Sequence, residues 1–240
     1  MWVWVGVFGV VAVAAAAQAV SGFGSALIAT PIVAVLVGPH EAVVGLTMVS
    51  IVLVSMLALR SRGHVDGPIV LTVTAAAIVG MPIGLLVLKR ADDRTLTAVI
   101  AVVVIVFAVL LWRGLRLPRS RVTDGVAGFV AGTLSTSTGT SGPPIVIALS
   151  NQQMTPSAFR GTISAIFLVQ GCAALIVFAI GGEITSGALP VALAGLPGLI
   201  LGSYVGEHGF RRLDAARFRL VVFGMLLLSG ILSLGEALLS

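Results

Sequence analysis

Charge-free apolar stretches recur along the chain at 42–59, 67–88, 95–112, 161–182, 184–206 and 220–235, the last of them short at 16 residues. A helix needs about 20 mainly apolar residues to cross the hydrocarbon core of a bilayer, so each stretch reads as a membrane span. Two further charge-free stretches, 1–39 and 125–159, are much longer, and small and hydroxyl residues interrupt both. The first interruption is Ser-Gly-Phe-Gly-Ser-Ala at 21–26, and the second runs from Ser135 through Gly142 to Pro143-Pro144. Glycine, proline and locally bonding Ser/Thr disfavour a continuous helix, so each long stretch is expected to break there.

A broken stretch either crosses once or folds back as a hairpin, and the cations distinguish the two. Single spans separate 60–66, 89–94 and 113–121, so the first and last of these share a face. If 125–159 is a hairpin, Arg160 and the 207–219 loop join that face, which then carries 11 Lys and Arg against three (Lys89, Arg90, Arg94) opposite. A single crossing moves Arg160, Arg211, Arg212, Arg217 and Arg219 across and leaves 6 against 8. The positive-inside rule selects the hairpin and makes the linker at 113–123 cytoplasmic.

The order of broken stretch then three spans occurs twice, and local signals recur with it. Gly22-Phe23-Gly24-Ser25 answers Gly139-Thr140-Ser141-Gly142, Pro39 before Gly45 answers Pro156 before Gly161, and Gly80/Gly84 answer Gly202/Gly206. The expected fold is therefore an all-α polytopic membrane bundle of two inverted repeats, each a broken, re-entrant hairpin plus three spans. The first repeat is 1–112, with its hairpin at about 1–39. After the basic linker 113–123, the second is 124–240, with its hairpin at about 125–156. Both termini then lie outside. Whether residues 1–20 cross fully is open, since twenty residues suffice for either arrangement.

Composition agrees with a bilayer and excludes several classes. Fifty-eight per cent of the 240 residues are apolar and only 10% charged, too few charges to hydrate a soluble surface. The net charge of +5 sits in short clusters between spans, where orientation explains it and nucleic-acid binding is not expected. Met-Trp-Val-Trp-Val has no basic leader region, so the first segment is expected to belong to the membrane domain. Cys172 excludes an internal disulfide and reads as a small buried hydrophobe. His40, His64 and His208 are too dispersed for a metal site.

Backbone that leaves the helix inside a bilayer must be surrounded by protein or a water-filled cavity, which makes both breaks candidate site elements. Helices restarting near Gly24 and at Pro143-Pro144 would aim positive dipole ends and unpaired N–H groups at the protein centre. With hydroxyls from Ser21, Ser25, Ser137, Thr138, Thr140 and Ser141 they form a neutral cage for a small anion. The candidate substrate-binding residues are Ser21, Gly22, Gly24, Ser25, Thr138, Gly139, Thr140, Ser141, Gly142 and Pro143. Arg160 is a candidate for recruiting substrate, against a plain positive-inside role. Gln170, the best embedded of the polar residues Gln18, Asn151, Gln152, Gln153 and Gln170, lines a path or bonds between helices. The Gly80/Gly84 and Gly198/Gly202/Gly206 rows read as helix-packing faces. No acidic residue lies within a predicted span, which argues against a proton pump or cation channel, and no Walker-type loop is present.

These features resemble the TauE/SafE family of sulfite and organosulfur anion exporters across nearly the whole chain. The first Gly-rich motif, Gly22-Phe23-Gly24-Ser25-Ala26 with Pro31 downstream, has Ser and Ala in place of two glycines. The second, Gly139-Thr140-Ser141-Gly142-Pro143-Pro144, is closer to the family pattern. The Gly63-His64-Val65-Asp66 turn and the Lys89-Arg90 pair also fit. The resemblance implies an inner-membrane secondary transporter, an exporter of small sulfur-containing anions such as sulfite, sulfonates or sulfoacetate, with no cofactor. The expected partners are that small anion and the lipid bilayer; a homodimer is allowed and the coupling ion is left open. The competing readings are a membrane-embedded lipid pyrophosphate phosphatase, whose in-membrane carboxylates are missing here, and a passive anion channel.

Overall fold

Residues 2–209 of the computed structural model, with 116 and 151 excepted, are described; the side chains of Val20, Ser21 and His208 are not among them. They form helices α1 (Trp2–Ser21), α2 (Ser25–Val37), α3 (Pro39–Ser61), α4 (Gly67–Arg90), α5 (Asp93–Trp112), α6 (Arg121–Thr138), α7 (Gly142–Leu149), α8 (Pro156–Gly181) and α9 (Ala188–Gly209), with a 3-10 turn at Arg62–His64. No strand occurs among the described residues. Six helices, α1, α3, α4, α5, α8 and α9, are long and apolar enough to cross a membrane, and the chain is a multi-pass membrane protein. The expected span at 220–235, Asn151 and the arginines from 211 onward lie outside the described residues.

Helix starts follow local chemistry. The Asp66 carboxylate accepts the Ile69 N–H, Asp92 that of Thr95, Ser120 that of Thr123 and Thr155 that of Ala158, so α4, α5, α6 and α8 each begin on a side-chain cap, as orphan first-turn amides require. Ser120 starts α6 at Arg121, four residues before the expected hairpin start and inside the expected linker. Gly182, at φ 76°, closes α8, and a turn delays α9 to Ala188, where a span from 184 was expected.

Both broken stretches fold back. At a rise of 1.5 Å per residue, α2 with 13 residues and α7 with 8 cannot cross about 30 Å of hydrocarbon. The base of the first hairpin is closed by Gly6 against Leu36. The second is closed by the Gln152 amide, which donates to the Asp124 carboxylate at 3.0 Å. Asp124, expected at the edge of a charge-free stretch, is the fourth residue of α6 and is buried.

Two polar clusters mark the opposite faces. On one, His40, Glu183 and Lys89 meet, with Lys89 Nζ 3.2 Å from Glu183. Burial would raise the Glu183 carboxyl, but hydrogen bonds from His40 and Lys89 outweigh it and hold it below its ordinary value. On the other face Arg60 pairs with Glu207, the Asp66 N–H donates to Thr162 at 3.0 Å, and Gly161 packs on the Ser61 and His64 carbonyls. Arg160 therefore shares a face with 60–66.

Close glycine packing holds the arms in place. A Cβ at Gly80 or Gly84 of α4 would collide with the Phe129 or Thr133 carbonyl of α6. One at Gly128 or Gly132 of α6 would collide with Val73 or Ala77 of α4. Gly198, Gly202 and Gly206 of α9 meet Phe8, Ala12 and Ala16 of α1 in the same way. Such rows let backbones approach where lipid offers no hydrophobic drive for association. Thr136 adds an interhelical bond to the Met81 carbonyl at 2.7 Å. Cys172, expected to be buried, is exposed on α8, because the outer surface of a membrane bundle is itself apolar and apolar character does not point inward.

Candidate functional site

The two breaks reach past each other into the centre of the bundle. Gly22, at φ 84°, lies against Arg160 and Ile163 in the first turns of α8, so the first tip comes close to the Arg160 face. Gly139, at φ 69°, lies against Thr30 of α2 and Val43 in the second turn of α3, so the second tip comes close to the His40 face. Phe23 of the first break and Phe167 of α8 flank Gly142 of the second.

Between the tips lies a cavity of about 40 Å³, beside residues 46–53 in the middle of α3. Ser25 and Ala26 of the first break wall it on one side and Gly139 of the second on another, while Thr47 and Ser50 contribute hydroxyls and Val11, Ala15, Ala29, Leu53 and Leu199 an apolar lining. A single water needs roughly 10–15 Å³ on this measure, so the space suits a ligand of a few heavy atoms.

The polar groups around this space are already partly committed. Ser25 O–H donates to Gln18 Oε1, Thr47 O–H to the Val43 carbonyl and Ser50 O–H to the Thr47 carbonyl. Donors left for an anion are therefore mainly backbone amides. Helix α2 supplies them: its cap residue Gly24, at φ 102°, offers no side-chain acceptor, and the first amide inside the helix ladder is Ile28, which donates to Gly24 at 3.3 Å. The amides of Ser25, Ala26 and Leu27 have no intrahelical acceptor and carry the positive end of the helix dipole.

The second break is chemically different. Helix α7 also starts without a side-chain cap, but Pro143 and Pro144 in its first turn have no N–H to give. The Gly139 N–H, the Thr140 N–H (3.4 Å) and the Thr138 hydroxyl (3.0 Å) all donate to the one carbonyl of Leu134. Ser137 O–H goes back to Thr133 at 2.8 Å, and the Thr138 and Thr140 hydroxyls sit 2.7 Å apart, both fully buried.

Among the sequence-predicted residues, Ser25 and Gly139 face the cavity, and Gly22 and Gly24 shape the first tip. Thr138, Thr140, Ser141, Gly142 and Pro143 build the second tip. Ser21 ends α1, and its side chain is outside the described residues. Arg160 is exposed, with its aliphatic stem toward Gly22, at the entrance to the first tip. Gln170, in mid-α8, is 1% exposed, and neither amide atom has a hydrogen-bond partner. Sequence reasoning passed over Thr47, Ser50 and Thr30, since single hydroxyls inside apolar runs usually bond within their own helix.

The sulfite exporter TauE/SafE family matches residues 7–233. The chain belongs to this family. A similar relative is the "Probable sulfite/organosulfonate exporter TauE" of Cupriavidus necator, 26% identical over 222 residues that cover 88% of this chain and 85% of that protein. No solved structure matches. The match spans both breaks, so the cavity lies wholly within the part shared with TauE/SafE proteins.

Proposed function

We propose that this chain exports a small sulfur-containing anion across the inner membrane, binding it in the mid-span cavity between the two breaks. The single observation that carries the reading is that cavity, walled by Ser25 and Ala26 of the first break and Gly139 of the second. Membership of a sulfite exporter family supports the substrate class. A volume of about 40 Å³ favours a compact oxyanion such as sulfite over a longer sulfonate or sulfoacetate, which would need the cavity to open further. Sulfite would accept hydrogen bonds from the Ser25 and Ala26 amides, while the apolar lining excludes water and strengthens those bonds. Arg160 recruits the anion at the basic face, which is cytoplasmic, and Gln170 lines its path.

The two-repeat reading supplies the mechanism. Its support is reciprocal packing: the first arm of each hairpin, α1 or α6, lies against a glycine row with α9 or α4 of the other half. Gly45 of α3 meets the Ala188 carbonyl at the start of α9, as Gly161 of α8 meets the His64 carbonyl just before α4. Inverted repeats of this kind alternate access by rocking around a fixed central site, with both termini outside.

The test uses proteoliposomes holding radiolabelled sulfite. Wild-type protein should release it faster than protein-free vesicles. Ala29→Leu, which fills the cavity, should abolish release with the protein still inserted and monodisperse. Release by Ala29→Leu at the wild-type rate would sink the cavity as the site.

A further inference from the structure

Thr30 is fully buried, and its hydroxyl has no hydrogen-bond partner. A buried hydroxyl with no partner forfeits its hydration without return, so its surroundings need a reason. Its Oγ1 lies 3.4 Å from where a Cβ on Gly139 would stand. It therefore lies beside Gly139, the residue that closes α6.

That end is rich in oxygen and poor in protons. Because the Gly139 and Thr140 amides and the Thr138 hydroxyl all converge on Leu134, the carbonyls of the last turn, from Ser135 to Thr138, have no intrahelical partner. The hydroxyl protons nearby are committed: Thr136 donates to Met81, Ser137 to Thr133 and Thr138 to Leu134, which leaves Thr140 to donate to Thr138. The prolines that follow add no N–H. Helix α6 also directs the negative end of its dipole here.

We propose that the second break binds a dehydrated monovalent alkali cation, held by the Thr30 hydroxyl, the Thr140 hydroxyl oxygen and last-turn carbonyls of α6. The donor set is entirely neutral oxygen. Among the described residues no group of three or more His, Cys, Asp or Glu gathers to hold a metal, and divalent cations usually demand carboxylates. Neutral oxygens at a broken-helix C-terminus suit a single positive charge. Thr30 is the hinge of the design, since it reaches the site from the first hairpin and joins ion occupancy to the relative position of the two tips. As the coupling site of the exporter the cation rests on the function proposed above, whereas its binding stands apart from any anion.

The test is unfolding temperature of the detergent-purified full chain, with no sulfur anion present, titrated with sodium chloride, potassium chloride or choline chloride at constant ionic strength. Sodium or potassium should stabilise saturably where choline does not. Thr30→Val should weaken that affinity at least about tenfold, while Thr30→Ser, which keeps the hydroxyl, should retain it. Equal curves in all three salts, as expected if water alone occupies the site, would overturn the proposal. So would a Thr30→Val protein with the wild-type cation response. A cation response without any sulfite binding would leave this site standing and remove the sulfite reading, so the two fail separately.

Discussion

The two breaks occupy corresponding places in their hairpins, yet they offer opposite chemistry. The first restarts its helix on Gly24-Ser25-Ala26, so its first-turn amides have no intrahelical acceptor and its tip presents donors. The second restarts on Gly142-Pro143-Pro144, which removes two amides, and crowds its capping donors onto Leu134, so its tip is an acceptor. Two helix N-termini pointing into a membrane are thus not two anion sites. Which groups remain unpaired decides, and the prolines of the first turn and the donors converging on Leu134 act together.

The largest expected effect comes from displacing the arm that carries the acceptor tip. In Gly132→Val the new side chain would drive into the Ala77 carbonyl of α4, with no flexible neighbour to yield. Overpacking of this kind costs about 1–3 kcal/mol or more, and the expected result is loss of monodisperse protein in size-exclusion chromatography. Moving donors between the tips sharpens the comparison more gently. Ala26→Pro places a proline where the second break has Pro143 and removes one amide from the donor tip. Its dissociation constant for sulfite should rise about tenfold, or about 1.4 kcal/mol, by calorimetric titration. The reverse change, Pro143→Ala, should shift that constant by no more than about twofold, toward tighter binding, since one weak amide bond is worth about 0.5 kcal/mol at the low end.

Much of this was legible in the residues themselves. Gly22, Gly24, Gly139 and the Pro143-Pro144 pair announce the breaks because they cluster with Ser and Thr in the middle of overlong charge-free runs, whereas Pro31, Pro82 and Pro197 stand alone inside helices. The count of Lys and Arg on the two faces, Arg160 and the 207–219 loop included, favoured the hairpin for the second. The Gly202/Gly206 row was equally plain. The cavity wall was not: Thr47 and Ser50 look like ordinary helix hydroxyls, and only the fold brings them opposite Ser25. The α6 partners Gly128 and Gly132 were hidden in a glycine-rich helix where no single residue stands out. Thr30 carried no signal at all, since its importance lies in a missing partner. Cys172 misled because a lipid-facing surface and a core have the same composition.

A modest effect, on stability and not on binding, is expected at the face nearest the acceptor tip. Glu183→Gln should cut the ties to His40 and Lys89 and lower stability by about 0.5–1 kcal/mol at neutral pH. The Glu183 carboxyl is held below its ordinary value in the folded chain, so its contribution is present above the ordinary glutamate range and fades as pH falls through the lowered value. Thermal unfolding of variant and wild type should therefore differ at pH 7 and converge in acid; a gap that widens in acid would reverse the sign.

The most direct measurement is thermal unfolding of the purified chain against millimolar sulfite, thiosulfate, sulfate, sulfoacetate, taurine, acetate and phosphate, in wild type and Ala26→Pro. An anion that binds the folded chain stabilises it by about 2.7 kcal/mol at a hundredfold excess over its dissociation constant, so weak selective binding is readable. The expected result is selective stabilisation by sulfite, shifted to higher concentration by Ala26→Pro. Stabilisation by none of the sulfur anions, or a sulfite response that Ala26→Pro leaves unmoved, would contradict the donor tip as the binding element.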